Sequence, residues 1–182
     1  KTAVGTAYQL FTNREERTSN VQVIGLTSPS NVPFVEGLGC YDQVLGYAET
    51  TNIPAATKVA YVDIAGNGEL RRTLHHHFGE NVVCSSAVGL SHWENQTRGE
   101  ALPGARPTLF FAPAQAQKRI KEWGAAEFGK QTAVSSQRFY KMMAQSLDIV
   151  VKTGQEAIAE TYTQMLEGNV APATAIILSI GE

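Results

Sequence analysis

Three features of the sequence predict an α/β fold, a parallel sheet with helices on both faces. Short apolar runs rich in β-branched residues alternate with segments of helical spacing. The connections between them are short, with residues enough for strand–helix–strand crossovers. The runs are also apolar along their whole length, as in strands covered on both faces, and do not alternate as half-exposed strands do.

Taken in order, residues 1–11 carry Ala3, Val4, Ala7, Tyr8 and Phe11 on one side of a helix. A chain that opens inside a helix, with no strand before it, is expected to be part of a longer one. Residues 12–20 are a polar connection. Residues 21–26 form a strand that stops at Thr27-Ser28-Pro29-Ser30-Asn31. A helix over 32–38 ends at Gly39, a residue suited to a helix C-terminus. A short strand over 43–47 finishes on Tyr47, and 50–57 is a polar loop around Pro54. The next strand, 59–64, closes on Ala65-Gly66-Asn67-Gly68. A helix over 69–78 ends at Gly79, and 81–88 is another apolar strand. Residues 91–107 read as loop, rich in Gly, Pro and charge. The region 110–128 contains a helix beginning near Pro113. Helices are expected over 137–151 and 155–167, and a closing strand over 175–180. One domain is expected over 1–182, without repeats or low-complexity segments.

Composition narrows the function classes. A chain of 182 residues can bury a core of its own. With 43% hydrophobic and 18% charged residues it reads as an ordinary globular domain. A net charge of −2, with no basic run interleaved with aromatics, argues against nucleic acid. No apolar stretch approaches the roughly 20 residues of a membrane span, and no signal peptide is visible. Cys40 and Cys84 lie in or beside strands and read as reduced, buried hydrophobes of a cytoplasmic protein. Asn95-Gln96-Thr97 fits the glycosylation pattern but has no secretion signal to accompany it.

In open parallel sheets, ligands sit beyond the carboxyl ends of the strands. The turn after the first strand, Thr27 to Asn31, has hydroxyls and no carboxylate. It is therefore able to receive a 2′-phosphate without repelling it. The same residues also suit a plain helix N-cap, and both readings stand. Asp63, Gly66 and Gly89 follow the next two strands, where small residues let backbone approach a ligand.

Several of these stretches resemble one family. VQVIGLTSPSNVPFVEGLGCYDQVLGYAE is similar to the second-strand region of the medium-chain dehydrogenase/reductase superfamily, its quinone-oxidoreductase side in particular. FVEGLGCYDQVL, YVDIAGNGELRRTLHHHFG and AVGLSHWE resemble a branch of that superfamily catalogued as a domain of unknown function. The resemblance is strong over about the first hundred residues and loose beyond. It implies a Rossmann-type domain that binds NADP(H), with its central first strand and most of the Gly-rich phosphate loop lying ahead of Lys1. On that alignment Lys1 and Thr2 form the tail of the loop, at a helix N-terminus suited to pyrophosphate. Thr27, Ser28, Asn31 and Tyr47 surround the 2′-phosphate, and Asp63, Gly66 and Gly89 flank the cofactor's path. The family usually has a basic residue where this chain has Val32. The family's N-terminal substrate domain is not in this stretch.

The resemblance thus implies the nucleotide-binding part of an oxidoreductase acting on a carbonyl, enone or quinone. A non-catalytic nucleotide sensor or scaffold is the competing expectation. Catalytic residues are not identified by the sequence. His92-Trp93-Glu94 offers an acid or a pocket wall, with a loop anchored by Trp93 as the plainer reading. His75, His76 and His77 are expected on a solvated last helical turn, not on a metal, because consecutive helical residues point about 100° apart. No four-cysteine zinc lobe is present, so the protein is expected to be zinc-independent. Phe110, Phe111, Trp123, Phe128, Phe139 and Tyr140 read as packing residues, with a cleft floor or a homodimer face as alternatives. The expected partner is a small-molecule substrate, with neither nucleic acid nor membrane.

Overall fold

A computed structural model describes residues 2–16, 21–89 and 101–181. Seven strands and six α-helices alternate along them: α1 (Thr2–Thr12), β1 (Ile24–Thr27), α2 (Val32–Gly37), β2 (Gln43–Gly46), β3 (Val59–Asp63), α3 (Gly68–Phe78), β4 (Val82–Ala87), β5 (Thr108–Leu109), α4 (Ala112–Trp123), α5 (Ala125–Met143), β6 (Asp148–Thr153), α6 (Gln155–Leu166) and β7 (Thr174–Ser179). The fold is α/β, with parallel sheets flanked by helices. Every strand pair among the described residues is parallel.

The strands among the described residues fall into three separate sheets. β1 pairs with β2 from Ile24–Gln43 to Thr27–Gly46. β3, β4 and β5 form a separate three-stranded sheet, and β6 with β7 a third. β1 and β3 are not hydrogen-bonded to each other. Helix α3 joins the first two sheets instead. Its Leu70, Leu74 and Phe78 pack with Val82, and Leu26, Tyr47, Val59 and Tyr61 close around them. A second core lies on α1 and α5, where Ala7 and Met143 meet Val23, Leu38 and Cys40.

The helix expected within 110–128 from near Pro113 is α4, and after Gly124 α5 runs through to Met143. One expected helix is revised. The region 137–151 is therefore not one helix. Its first part is the end of α5, and Asp148–Thr153 is strand β6, paired along its whole length with β7. Ile149-Val150-Val151 favours a strand, since β-branched side chains lose rotamer freedom in a helix. Much of the apolar surface of β6 and β7 remains exposed, Ile149 and Ile177 included. Cys40 is buried as expected, but Cys84 is exposed, because α3 covers the opposite face of β4.

Candidate functional site

The parallel pairings put the ends of β1 and β2 on one edge, and those of β3 and β4 on one edge of their own sheet. α3 brings the two edges together, since Leu26, Tyr47 and Tyr61 all pack against the cluster that its Leu70, Leu74 and Phe78 form with Val82. Two polar turns stand at this junction.

The first turn follows β1. Ser28 and Asn31 occupy N-terminal positions of a short 3-10 helix (Pro29–Asn31) and of α2, yet neither side chain caps a backbone N–H. Ser28 Oγ approaches only Ser30 Oγ, at 3.4 Å. The turn is held by its backbone, with Asn31 N–H donating to the Ser28 carbonyl at 3.0 Å. Pro29 lies against Gly46, so the turn stands beside the end of β2. Tyr47 follows there, half-buried; burial first, and then the charge of Asp63, push its hydroxyl pKa upward. The nearby Glu49 carboxylate is folded back to accept the Gly46 N–H at 2.8 Å.

The second turn follows β3 and is closed on itself. The Asp63 carboxylate, 2% exposed, accepts the Gly66 N–H at 2.7 Å through Oδ1. Its Oδ2 faces Arg71 Nη1 at 3.4 Å. Tyr61 is half-buried beside it, and burial followed by the Asp63 charge raises the Tyr61 pKa. Gly66 takes φ +71°, a conformation that a residue with Cβ adopts only at a cost. Asn67 caps α3, its Oδ1 accepting from Leu70 N–H at 3.1 Å. The Asp63 carbonyl accepts from both Val88 and Gly89 N–H, tying the end of β3 to the residues after β4. A Cβ on Gly89 would fall on the Ile64 carbonyl oxygen, so this position has a packing reason to be glycine.

Thr27, Tyr47, Asp63, Gly66 and Gly89 thus lie at or beside the strand ends, with Ser28 in the adjoining turn. Asn31 lines a cavity of about 320 Å³ together with Val4, Phe34, Met143 and Leu147, which places α1 next to that turn. Thr2 is the exposed first residue of α1, its carbonyl accepting from Thr6 Oγ1. Lys1 lies outside the described residues, as do His92, Trp93, Glu94 and the Asn95-Gln96-Thr97 triplet.

The histidine run departs from the solvated turn expected of it. Only His76 is exposed. His75 is 0% exposed, bonded through Nε2 to Ser85 Oγ at 3.0 Å and through Nδ1 to the Pro103 carbonyl at 2.8 Å. A carbonyl only accepts, so Nδ1 carries the proton and Nε2 receives the Ser85 hydroxyl proton. This resembles an activated nucleophile in its atoms but not in its access, because Ser85 is buried as well. It is a pin joining α3, β4 and the 101–107 segment. His77 Nε2 bonds the Ile53 carbonyl at 2.7 Å. No group of three or more His, Cys, Asp or Glu able to hold a metal occurs among the described residues. None of the described helices is long and apolar enough to cross a membrane.

The sequence did not point to Arg71, and it put His75 on the solvated side of α3. Both sit on α3 at positions where helical spacing turns them toward the sheet together with Leu74 and Phe78, a signal obscured by their polarity.

These features define a parallel α/β protein with its polar turns gathered at the carboxyl ends of its strands. The chain belongs to the family of proteins of unknown function DUF2855, whose model matches residues 1–171. No curated protein and no solved structure matches it.

Proposed function

We propose that the chain is the nucleotide-binding part of an NADP(H)-dependent oxidoreductase of the medium-chain dehydrogenase/reductase superfamily, working in the cytoplasm on a carbonyl, enone or quinone. The observation that carries this reading is the turn after β1. Its Ser and Asn residues stand where helix caps would stand and cap nothing. Their hydrogen-bonding groups remain available at the carboxyl edge of a parallel sheet, where such folds take nucleotides. The turn also lacks a carboxylate, which favours a phosphorylated ribose over a free diol.

Ser28 and Asn31 would hold the ribose phosphate, with Tyr47 closing the side toward β2. The closed turn at Asp63 and Gly66 would border the ribose. The bound nicotinamide supplies the hydride chemistry. This chain's part is to bind and orient the adenosine end.

Calorimetry of the full-length protein with NADPH and NADH, followed by turnover assays on carbonyls and quinones, tests the reading. NADPH binding with turnover is the expected result. Tight binding without turnover on any substrate would favour a nucleotide sensor. Absence of binding to either nucleotide would remove the reading.

A further inference from the structure

The sequence supplies no basic residue at the start of α2, where Val32 stands. We infer that Arg71, reaching the same junction from the first turn of α3, is the cation that receives the ribose phosphate. This inference rests on the NADP(H) reading and adds to it the residue that discriminates between the two cofactors.

Arg71 is set in place by the sequence around it. Asn67 caps α3, and Arg71 N–H donates to the Asn67 carbonyl at 3.0 Å, so the residue belongs to the opening turn at the carboxyl edge of β3. Its neighbour Leu70 packs in the cluster that also takes Leu26 and Tyr47, the residues at the ends of β1 and β2. Leu74, one turn on from Arg71 and on the same face of α3, belongs to that cluster as well. Tyr61 of β3 feels the charge of both Asp63 and Arg71, and that of Tyr47.

The guanidinium is mostly withdrawn from water and poorly satisfied. Its side chain is 15% exposed. Its one hydrogen bond among the described residues is from Nη1 to Asp63 Oδ2, at 3.4 Å. That is well beyond the roughly 2.7–2.9 Å of a tight charge-assisted bond, and it is not the two-pronged pairing that guanidinium and carboxylate favour. Asp63 meanwhile is committed elsewhere, through Oδ1 to Gly66 N–H at 2.7 Å. Arg71 has five N–H donors in a rigid fork, and four of them meet no acceptor among the described residues. A nearly buried cation in that condition is costly unless an acceptor completes it. A phosphate supplies several anionic oxygens at once and fits the fork geometry.

The neighbouring carboxylates leave this possible. Asp63 is buried and turned toward its own backbone, and Glu49 is engaged by the Gly46 N–H. Glu69, in the same helical turn, is exposed.

The test is calorimetry of the full-length protein with NADPH, NADH and inorganic phosphate, on wild type, Arg71→Gln and Arg71→Lys. Circular dichroism of each variant monitors the fold. The expected result is a loss of about tenfold or more in NADPH affinity for Arg71→Gln, with NADH within about twofold and Arg71→Lys intermediate. Should Arg71→Gln unfold, Arg71→Lys decides alone. It keeps the charge but not the fork, and a NADPH/NADH ratio equal to wild type in it overturns the inference. A parallel loss of both nucleotides in a folded Arg71→Gln also overturns it, since Arg71 would then be structural. Binding of NADPH and NADH by wild type with no effect of either variant overturns the inference and leaves the nucleotide reading standing. Wild type that binds neither nucleotide overturns both, whether or not it takes up inorganic phosphate.

Discussion

Two turns that each lead into a helix end β1 and β3, and they behave in opposite ways. After β3, Asp63 and Asn67 direct their side-chain oxygens at their own backbone, to Gly66 N–H and Leu70 N–H. After β1, Ser28 and Asn31 occupy equivalent helix-start positions and accept no backbone N–H. The turn after β3 is consumed by the fold. The turn after β1 is held by backbone bonds and leaves its polar side chains unspent. Small polar residues at a strand end therefore do not identify a ligand site by themselves; what their oxygens already do decides it.

The largest expected effect tests the closed side. His75→Ala would leave the Ser85 hydroxyl and the Pro103 carbonyl without a partner and open a cavity between α3 and β4. A loss of about 2–4 kcal/mol in urea unfolding is expected. A change below about 0.5 kcal/mol would show that the pin does not form.

Alkaline pH tests the tyrosines of both cores, Tyr41 beside the α1–α5 core and Tyr47 and Tyr61 beside α3. Burial pushes the Tyr41 pKa up to about 12, and the Tyr47 and Tyr61 values also lie above the ordinary 10.0. The unfolded chain therefore loses these protons first. Stability from this source is complete below about pH 10 and is lost as the pH rises through the raised folded values. Urea midpoints should fall from pH 10 upward, and Tyr41→Phe should flatten that fall. A midpoint independent of pH between 9 and 11 would contradict the burial of these hydroxyls.

On the open side the expected effects are on binding. Val32→Arg in the full-length protein should favour NADPH over NADH by about 1–2 kcal/mol, one charge-assisted contact. An unchanged ratio in titrations of both cofactors would remove the phosphate from this turn.

The smallest pair sharpens the comparison directly. Asn67→Ala removes a working cap and should cost about 1 kcal/mol of stability. Ser28→Ala should cost less than about 0.5 kcal/mol while weakening NADPH binding. Equal stability losses in thermal unfolding would mean that the two turns do not differ.

Much of the fold was legible because its signals are local. The strand at Val59–Asp63, the helices before Gly39 and Gly79 and the helix at Gln155–Leu166 follow from apolar runs, spacing and glycine stops, all set within a few residues. The strand Asp148–Thr153 was not legible, because a run such as Leu147 to Val151 satisfies a helix or a strand equally until a partner appears. Its parallel partner β7 lies more than twenty residues away, and only that pairing settles the matter.

The chemistry at the strand ends divides in the same way. The sequence alone determined that Thr27, Ser28, Asn31, Tyr47, Asp63 and Gly66 fall near strand ends, since chain position follows from the strands. Whether an oxygen is free or bound depends on which backbone N–H the tertiary fold sets in front of it. The spent carboxylate of Asp63 and the uncommitted Ser28 and Asn31 were decided only there. Burial of His75 and the long Arg71–Asp63 contact were decided there too, because both require α3 to lie across β3 and β4. A polar residue's sequence neighbours do not reveal its solvent exposure; the packing of distant segments does.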